Sequence, residues 1–205
     1  MNVQTLPGLF ISHGSPMLAL DPEQVGPALH RLSINLPEPQ AIVVMSAHWE
    51  SQVLEVNIAT RPDTWHDFRG FPKELYEIRY PAPGSPTIAE KILSMFAEVG
   101  IQAHANSTRP RDHGVWMPLL HMYPDADIPV LQMSMPTSDP GRLIELGKRL
   151  QPLRDMGVLV IGSGFMTHGL PYLRDWSTTA VAPTWSSEFD NWAAEALAKG
   201  DVETL

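Results

Sequence analysis

Cysteine is absent from the 205 residues. This absence excludes disulfide frameworks, zinc sites built on thiolates, and cysteine nucleophiles. Any metal site or catalytic centre must therefore be built from histidine, carboxylate, hydroxyl or main-chain groups.

Long apolar runs and runs of basic residues are also missing. No apolar stretch has the length needed to cross a bilayer, and no basic region followed by an apolar region marks a secretory signal. The 14 basic and 23 acidic residues leave a formal charge of −9, which argues against nucleic acid and anionic membranes as partners. We expect a cytoplasmic protein that acts on a small molecule. The sequence does not indicate its oligomeric state.

Internal repeats, low-complexity tracts and flexible linkers are lacking too, so we expect one catalytic domain over residues 1–205. Short apolar or alternating segments predict the strands. The predicted strands are 8–12, 41–47, 53–60, 101–105, 128–134 and 157–163. Continuous apolar character predicts that the first, second and last of these are central, whereas alternation over 53–60 predicts an edge position.

Amphipathic segments between the strands predict helices. Asp21 and Pro22 suggest the start of the first, Gly100 the end of the second, and Ser187 with Gly200 the start and end of the last. A further segment over 140–151 has the same character. Strands that alternate with helices indicate an α/β fold, with a mostly parallel or mixed sheet flanked by helices on both faces.

Three histidines stand at or just beyond the ends of predicted strands: His13, His48 and His168. Ligands of open α/β sheets bind at the carboxyl ends of the strands. Small neighbours such as Gly14 and Gly169 leave room for a metal or substrate to approach closely. The pattern favours one shared site over three independent strand ends, and imidazoles without thiolates suit iron(II), zinc or copper.

The other five histidines differ in their surroundings. His30 and His104 suit solvated surface positions, and His121 suits a half-buried place in a helix. His66 lies in an aromatic loop that packs on itself or lines a pocket. For His113, in "RPRDHGVWMPL", a helix start and a proton-transfer role are equally supported.

Five segments, in this order along the chain, resemble those of the class III extradiol ring-cleavage dioxygenases, in the branch similar to 4,5-DOPA dioxygenases. The segments are "FISHGSPM", "VVMSAHWE", "HDFRGFPKELYEIRYPAPGSP", "RDHGVWMPL" and "GSGFMTHGL". The resemblance implies a mononuclear non-haem metal site in an α/β fold. Iron(II) is the expected metal for activity, and zinc is a possible occupant of the purified protein.

The resemblance also implies roles for particular residues. His13 and His48 bind the metal, His168 is a ligand or the acid–base residue, and His113 is a catalytic residue that contacts substrate or O2. Aromatic walls for a catechol are expected in the same segments. The candidates for these walls are Trp49, His66, Phe68, Phe71, Tyr76 and Trp116. Relatives continue into a His-Pro-containing segment, so we expect one more metal-site residue outside this sequence.

Other functions use some of the same residues. A zinc-dependent hydrolase could employ a metal-bound hydroxide on these histidines, and a protein of the same fold could bind partners without catalysis. A serine hydrolase built on Ser163 has little support, because the segment lacks the G-x-S-x-G spacing. A requirement for O2 separates the dioxygenase from the hydrolase, and the non-catalytic alternative predicts that metal loading has no catalytic consequence.

Overall fold

The computed structural model describes residues 4–172 and 180–204. By internal contacts the chain divides into two compact units, Met1–Gly164 and Phe165–Leu205. The single catalytic domain expected from the sequence stays a prediction. Among the helices of the described residues, none is both long enough and apolar enough to cross a bilayer.

The first unit is built around a six-stranded sheet. Its strands are β1 (Gly8–Ser12), β2 (Ala41–Glu50), β3 (Leu54–Asn57), β4 (Ala103–Asn106), β5 (Val130–Met135) and β6 (Val158–Gly164). The spatial order is β1-β6-β2-β5-β3-β4. Every pair is parallel except β3 with β5, so the mixed α/β sheet predicted from the sequence is confirmed.

Four helices cover the two faces of this sheet: α1 (Val25–Ile34), α2 (Pro86–Glu98), α3 (His113–Met122) and α4 (Pro140–Asp155). Alternate residues of β2 separate the two layers. Ile42 and Val44 join a core cluster with residues of α1 and α3. Ala41 and Val43 join a second cluster with residues of α2 and α4. Helices therefore lie on both faces, as the sequence predicts.

Two strand positions were predicted wrongly. Segment 53–60 was expected at an edge, but β3 lies inside the sheet because β4 pairs with its outer side. Segment 8–12 was expected to be central, but β1 is an edge strand. Ile11 is its one buried residue, while the Phe10 side chain is largely exposed. Apolar character alone did not show whether a strand pairs with one other strand or with two.

Helix ends follow local chemistry in part. The helix α2 begins after Ser85, whose hydroxyl accepts a hydrogen bond from the Ile88 amide. The helix α1 begins at Val25 rather than next to Asp21. In the second unit, α5 (Thr184–Lys199) begins before the expected Ser187 and ends at Gly200. That glycine has φ +65°, the left-handed conformation that glycine adopts without strain.

Candidate active site

Three histidines meet at the carboxyl end of the sheet. His13 follows the last residue of β1, His48 lies near the end of β2, and His113 is the first residue of α3. Strands β1 and β2 both pair in parallel with β6, so their carboxyl ends lie one strand apart at the same edge. The pairing register of β2 shifts between Met45 and Glu50, next to His48. Such irregularities commonly redirect a side chain beside an active site.

The three rings are close enough to share one ion. One nitrogen from each of His13, His48 and His113 lies within 4.8 Å of the other two. The Nε2 atoms of His13 and His48 are 3.1 Å apart. Ring centroids of His48 and His113 lie 4.1 Å apart. His13 and His113 are buried, whereas the His48 side chain is 31% exposed, so the group faces solvent on the side of β2.

The hydrogen bonds of Ser163 assign the tautomer of His13. The Ser163 hydroxyl donates its single proton to the carbonyl of Gly114. It therefore accepts from His13 Nδ1, which lies 3.0 Å from the serine oxygen. A neutral His13 ring that carries its proton on Nδ1 has a lone pair on Nε2. The atom that faces His48 is thus chemically suited to bind a metal.

Asp67 contacts two of the three histidines. Its Oδ1 accepts hydrogen bonds from both the amide and Nδ1 of His113, each at 2.9 Å. Its Oδ2 lies 3.7 Å from Nδ1 of His48. Burial pushes the pKa of the Asp67 carboxyl upward, but the hydrogen bonds and charge of His113 outweigh burial and hold this pKa below its usual value. Asp67 is therefore a carboxylate at neutral pH, and it can only accept hydrogen bonds.

The beginning of α3 is pressed against β2. A Cβ atom on Gly114 would lie 2.3 Å from the Ser46 hydroxyl oxygen and 3.2 Å from His48 Cδ2. The same hydroxyl donates to Asp112 Oδ1 at 2.7 Å, and Gln132 Nε2 donates to Asp112 Oδ2. The glycine after His113 therefore permits the close approach, and the buried Asp112 carboxylate holds the two elements together.

Aromatic rings surround one side of the group. The Phe68 ring lies 5.6 Å from that of His113 and 5.2 Å from that of Phe71. The His66 ring contacts Phe68 and Tyr76, and its Nε2 lies 3.1 Å from the carbonyl of Ile78. Burial lowers the pKa of His66. Of the six predicted wall residues, Phe68 is thus the one whose ring contacts a histidine of the group.

Trp49 and Trp116, the two tryptophans predicted to line the pocket, contact groups other than the three histidine rings. Trp116 is completely buried, and its indole nitrogen donates to the carbonyl of Trp65 at 2.9 Å. The Trp49 ring lies 5.0 Å from the guanidinium of Arg109, which also lies 4.5 Å from Trp65. Arg109 in turn donates to the carbonyl of His48 at 2.9 Å. Both indoles therefore support the segments that carry His48 and His113.

His168 does not belong to the three-histidine group found among the described residues. It is exposed, lies in the second unit, and its ring contacts that of Phe165 at 5.6 Å. Its assignment as a metal ligand or acid–base residue stays a prediction. His113, which the residues alone left undecided, lies both at a helix start and within the group.

The three histidines expected at the surface or half-buried in a helix have the predicted surroundings. His30 and His104 are exposed, and His104 lies on the edge strand β4. His121 is half-buried in α3, where its Nε2 lies 2.9 Å from the carbonyl of Leu18. Asp67 is the site residue that the sequence analysis missed. Its only local signal is its place in "HDFRG", within the segment that also carries the candidate wall residues.

Comparison with known proteins adds an independent result. Residues 7–205 match the family described as "Catalytic LigB subunit of aromatic ring-opening dioxygenase". The 4,5-DOPA dioxygenase extradiol of Beta vulgaris is 45% identical over 204 residues, which cover 96% of this chain and 74% of that protein. The protein of the same name in Escherichia coli (strain K12) is 38% identical over 205 residues, with 99% and 75% covered.

The fold is similar to that of a solved structure as well. The crystal structure of an uncharacterized protein from Escherichia coli K12 superposes with a TM-score of 0.78 at 34% sequence identity. The match covers 94% of this chain and 72% of that one. Sequence and structure comparisons thus agree along nearly the whole chain.

Proposed function

The chain belongs to the family of the catalytic LigB subunit of aromatic ring-opening dioxygenases, and on this premise we propose that it opens a catechol ring at a metal held by His13 and His48. Extradiol dioxygenase activity is the function that the family and its named relatives support. The observation that carries the assignment of the site is the pair of Nε2 atoms 3.1 Å apart.

The donor set fits a borderline divalent metal. The Nε2 atoms of His13 and His48 lie 3.1 Å apart, close enough for both to hold one ion. Imidazoles with a nearby carboxylate and no thiolate suit iron(II) as well as zinc. We propose iron(II) as the active metal. When bound, the metal supplies open positions for the catechol oxygens and O2 and passes electron density between them.

We assign the proton transfer to His113. Asp67 holds the proton of His113 on Nδ1, so Nε2 carries the lone pair that can accept a catechol hydroxyl proton. Phe68, in contact with the His113 ring, provides an apolar surface for the arene. His168 remains a proposed second acid–base residue or ligand. Both oxygen atoms of O2 enter the product, a ring-opened muconic semialdehyde.

The first substrates to test are DOPA and simpler catechols, because several relatives are named 4,5-DOPA dioxygenase extradiol. The protein is loaded with Fe(II) without oxygen and then mixed with catechol and O2. We expect one O2 consumed per catechol, together with a yellow ring-fission product. A protein shown to hold iron that turns over no catechol would overturn the proposal.

Two controls identify the alternatives. A zinc-dependent hydrolase would act on esters or amides without oxygen, whereas the dioxygenase requires O2. Replacing exposed His104 with glutamine changes the histidine count but leaves the site intact, and activity should not change.

A cytoplasmic location stays a prediction from the sequence.

A further inference from the structure

We infer that Asp67 is a positioning residue shared by two histidines, which fixes the His113 ring as the Nδ1–H tautomer and steadies the His48 ring beside it. The inference deepens the proposed function and rests on it for the role of the site. Asp67 contacts both rings from a loop outside β2, which carries His48, and outside α3, which carries His113. The consequence is that the His113 ring keeps its lone pair on Nε2 beside the His48 ring.

The contacts with His113 fix the ring in two ways. The Oδ1 atom of Asp67 accepts from the main-chain amide and from the ring Nδ1 of the same residue, each at 2.9 Å. One oxygen therefore links the ring to its own backbone and restricts rotation of the side chain. Because a carboxylate only accepts, Nδ1 must carry the proton and Nε2 the lone pair of the neutral ring.

The second oxygen extends the effect to His48. Asp67 Oδ2 lies 3.7 Å from His48 Nδ1, too far for a direct hydrogen bond, and a carboxylate at this place favours the His48 tautomer that carries its proton on Nδ1. The His48 and His113 rings lie only 4.1 Å apart, and they come from different elements. A group that contacts both is thus placed to set their relative orientation. Carboxylates behind metal-binding imidazoles commonly have this role.

The loop that carries Asp67 is itself fixed to the segment before α3. The Trp65 amide donates to the Arg111 carbonyl at 2.7 Å, and the Arg111 amide donates to the Asp63 carbonyl at 2.8 Å. The Trp116 indole donates to the Trp65 carbonyl at 2.9 Å. The Asp67 side chain is only 8% exposed. It is therefore held rigidly, as a residue that orients others must be.

The buried Asp112 provides a contrast within the same region. Its carboxylate accepts hydrogen bonds from Ser46, Gln132 and Arg109. Asp112 thus holds elements together, whereas Asp67 contacts the rings. The two buried carboxylates have different partners and should respond differently to substitution.

The test compares Asp67→Asn with Asp63→Asn, an exposed residue of the same loop. In the metal-free protein, long-range ¹H–¹⁵N spectra at about pH 8.5, about two units above the ordinary histidine pKa, report the tautomer of each neutral ring. We expect His113 as the Nδ1–H form in the wild type and in Asp63→Asn. In Asp67→Asn the amide can donate to the ring, and the Nε2–H form should become populated.

Metal affinity provides the second measurement. Competition with a chromogenic chelator should show Fe(II) or Zn(II) binding weakened about 10- to 100-fold by Asp67→Asn and unchanged by Asp63→Asn. Asp67→Glu keeps the acceptor-only chemistry and should retain the His113 tautomer, which separates this role from a merely structural one. If Asp67→Asn does not fold, the His113 tautomer in Asp67→Glu provides the test.

The inference is overturned if Asp67→Asn folds with the wild-type tautomer at His113 and the wild-type metal affinity. Loss of the Nδ1–H form in Asp67→Glu would equally contradict it. Catechol turnover is not among these measurements. Absence of turnover by iron-loaded wild type would therefore overturn the proposed function, while the tautomer and affinity still decide the role of Asp67.

Discussion

Arg111 and His113 are two residues apart and both buried, yet they belong to polar clusters of opposite character. The Arg111 guanidinium donates to the carbonyls of Ala82, Pro83 and Val130 at 2.6, 2.8 and 2.9 Å. Burial lowers its pKa to about 10, so it is still charged at neutral pH. Both terminal nitrogens of the guanidinium thus donate to carbonyl oxygens. The cluster around His113 instead brings three nitrogens that can bind a metal to one place.

The difference separates a structural cluster from a functional one. Around Arg111, positive charge and donors meet oxygen acceptors within the protein, and the result joins the chain before α3 to β5. In the cluster around His113, Asp67 binds Nδ1 of His113 and Ser163 binds Nδ1 of His13. The lone pairs on Nε2 of both rings therefore stay available to a metal. We therefore expect substitutions in the first cluster to change stability, and substitutions in the second to change metal binding and catalysis.

The largest effect is expected for His48→Ala, which removes one of the two proposed metal ligands. Metal content, measured by mass spectrometry after reconstitution, should fall to background, and ring opening should fall at least about 1,000-fold. Because the side chain is partly exposed, the thermal midpoint of the metal-free protein should change little. Metal bound in wild-type amount would remove His48 from the site. His104→Ala, on the edge strand, is the matched control.

A smaller loss is expected for His113→Ala, in which the proposed proton acceptor is removed. The rate constant for turnover should fall about 100- to 10,000-fold, while metal content stays near that of the wild type. Parallel measurements of kcat and bound iron distinguish the two roles open to this ring. If metal is lost together with activity, His113 is a third ligand, contrary to the assignment here.

Arg111→Met tests the other side of the comparison. Three buried carbonyls lose their donor, so we expect the free energy of unfolding to fall by about 3 kcal/mol. Urea denaturation measures this change, and Arg61→Met, at an exposed position, serves as control. Metal affinity of the folded protein should stay within about threefold of the wild-type value. A stable variant with weakened metal binding would show that the two clusters are not separate.

The smallest effect is expected for Gly114→Ala, at the position where the two clusters share the start of α3. The added methyl group would overlap the Ser46 hydroxyl, so α3 must move away from β2. We expect about 2 kcal/mol of lost stability and a measurable loss of metal affinity. Gly147→Ala in α4 meets no atom within 4 Å and should stabilise by about 1 kcal/mol. Equal effects of the two substitutions in chemical denaturation would contradict the packing argument.

The sequence predicted the α/β class, the ends of the predicted strands pointed to His13 and His48, and the family resemblance added His113. His13 and His48 could be predicted because each stands at the end of an apolar segment, and parallel strands bring such positions to one edge. Segment 8–12 was placed centrally in error. Its apolar residues fill one layer beside β6, and apolar character does not indicate how many strands lie alongside.

Asp67 and the place of His113 could not be predicted in the same way. The contact between them joins a loop to a helix start 46 residues later. That contact depends on the packing of α3 against β2, which in turn requires Gly114 and Ser46 to meet. No local periodicity encodes such a contact. The family resemblance connected the segments, and the three-dimensional arrangement supplied the partners.

The central claim is that the Nε2 atoms of His13 and His48 hold one metal ion. A crystal of the protein loaded with Fe(II) under nitrogen, measured at the iron absorption edge, tests this directly. We expect one anomalous peak about 2.1 Å from both nitrogens. A peak bound by other residues, or no peak in crystals whose protein is shown to contain iron, would contradict the account.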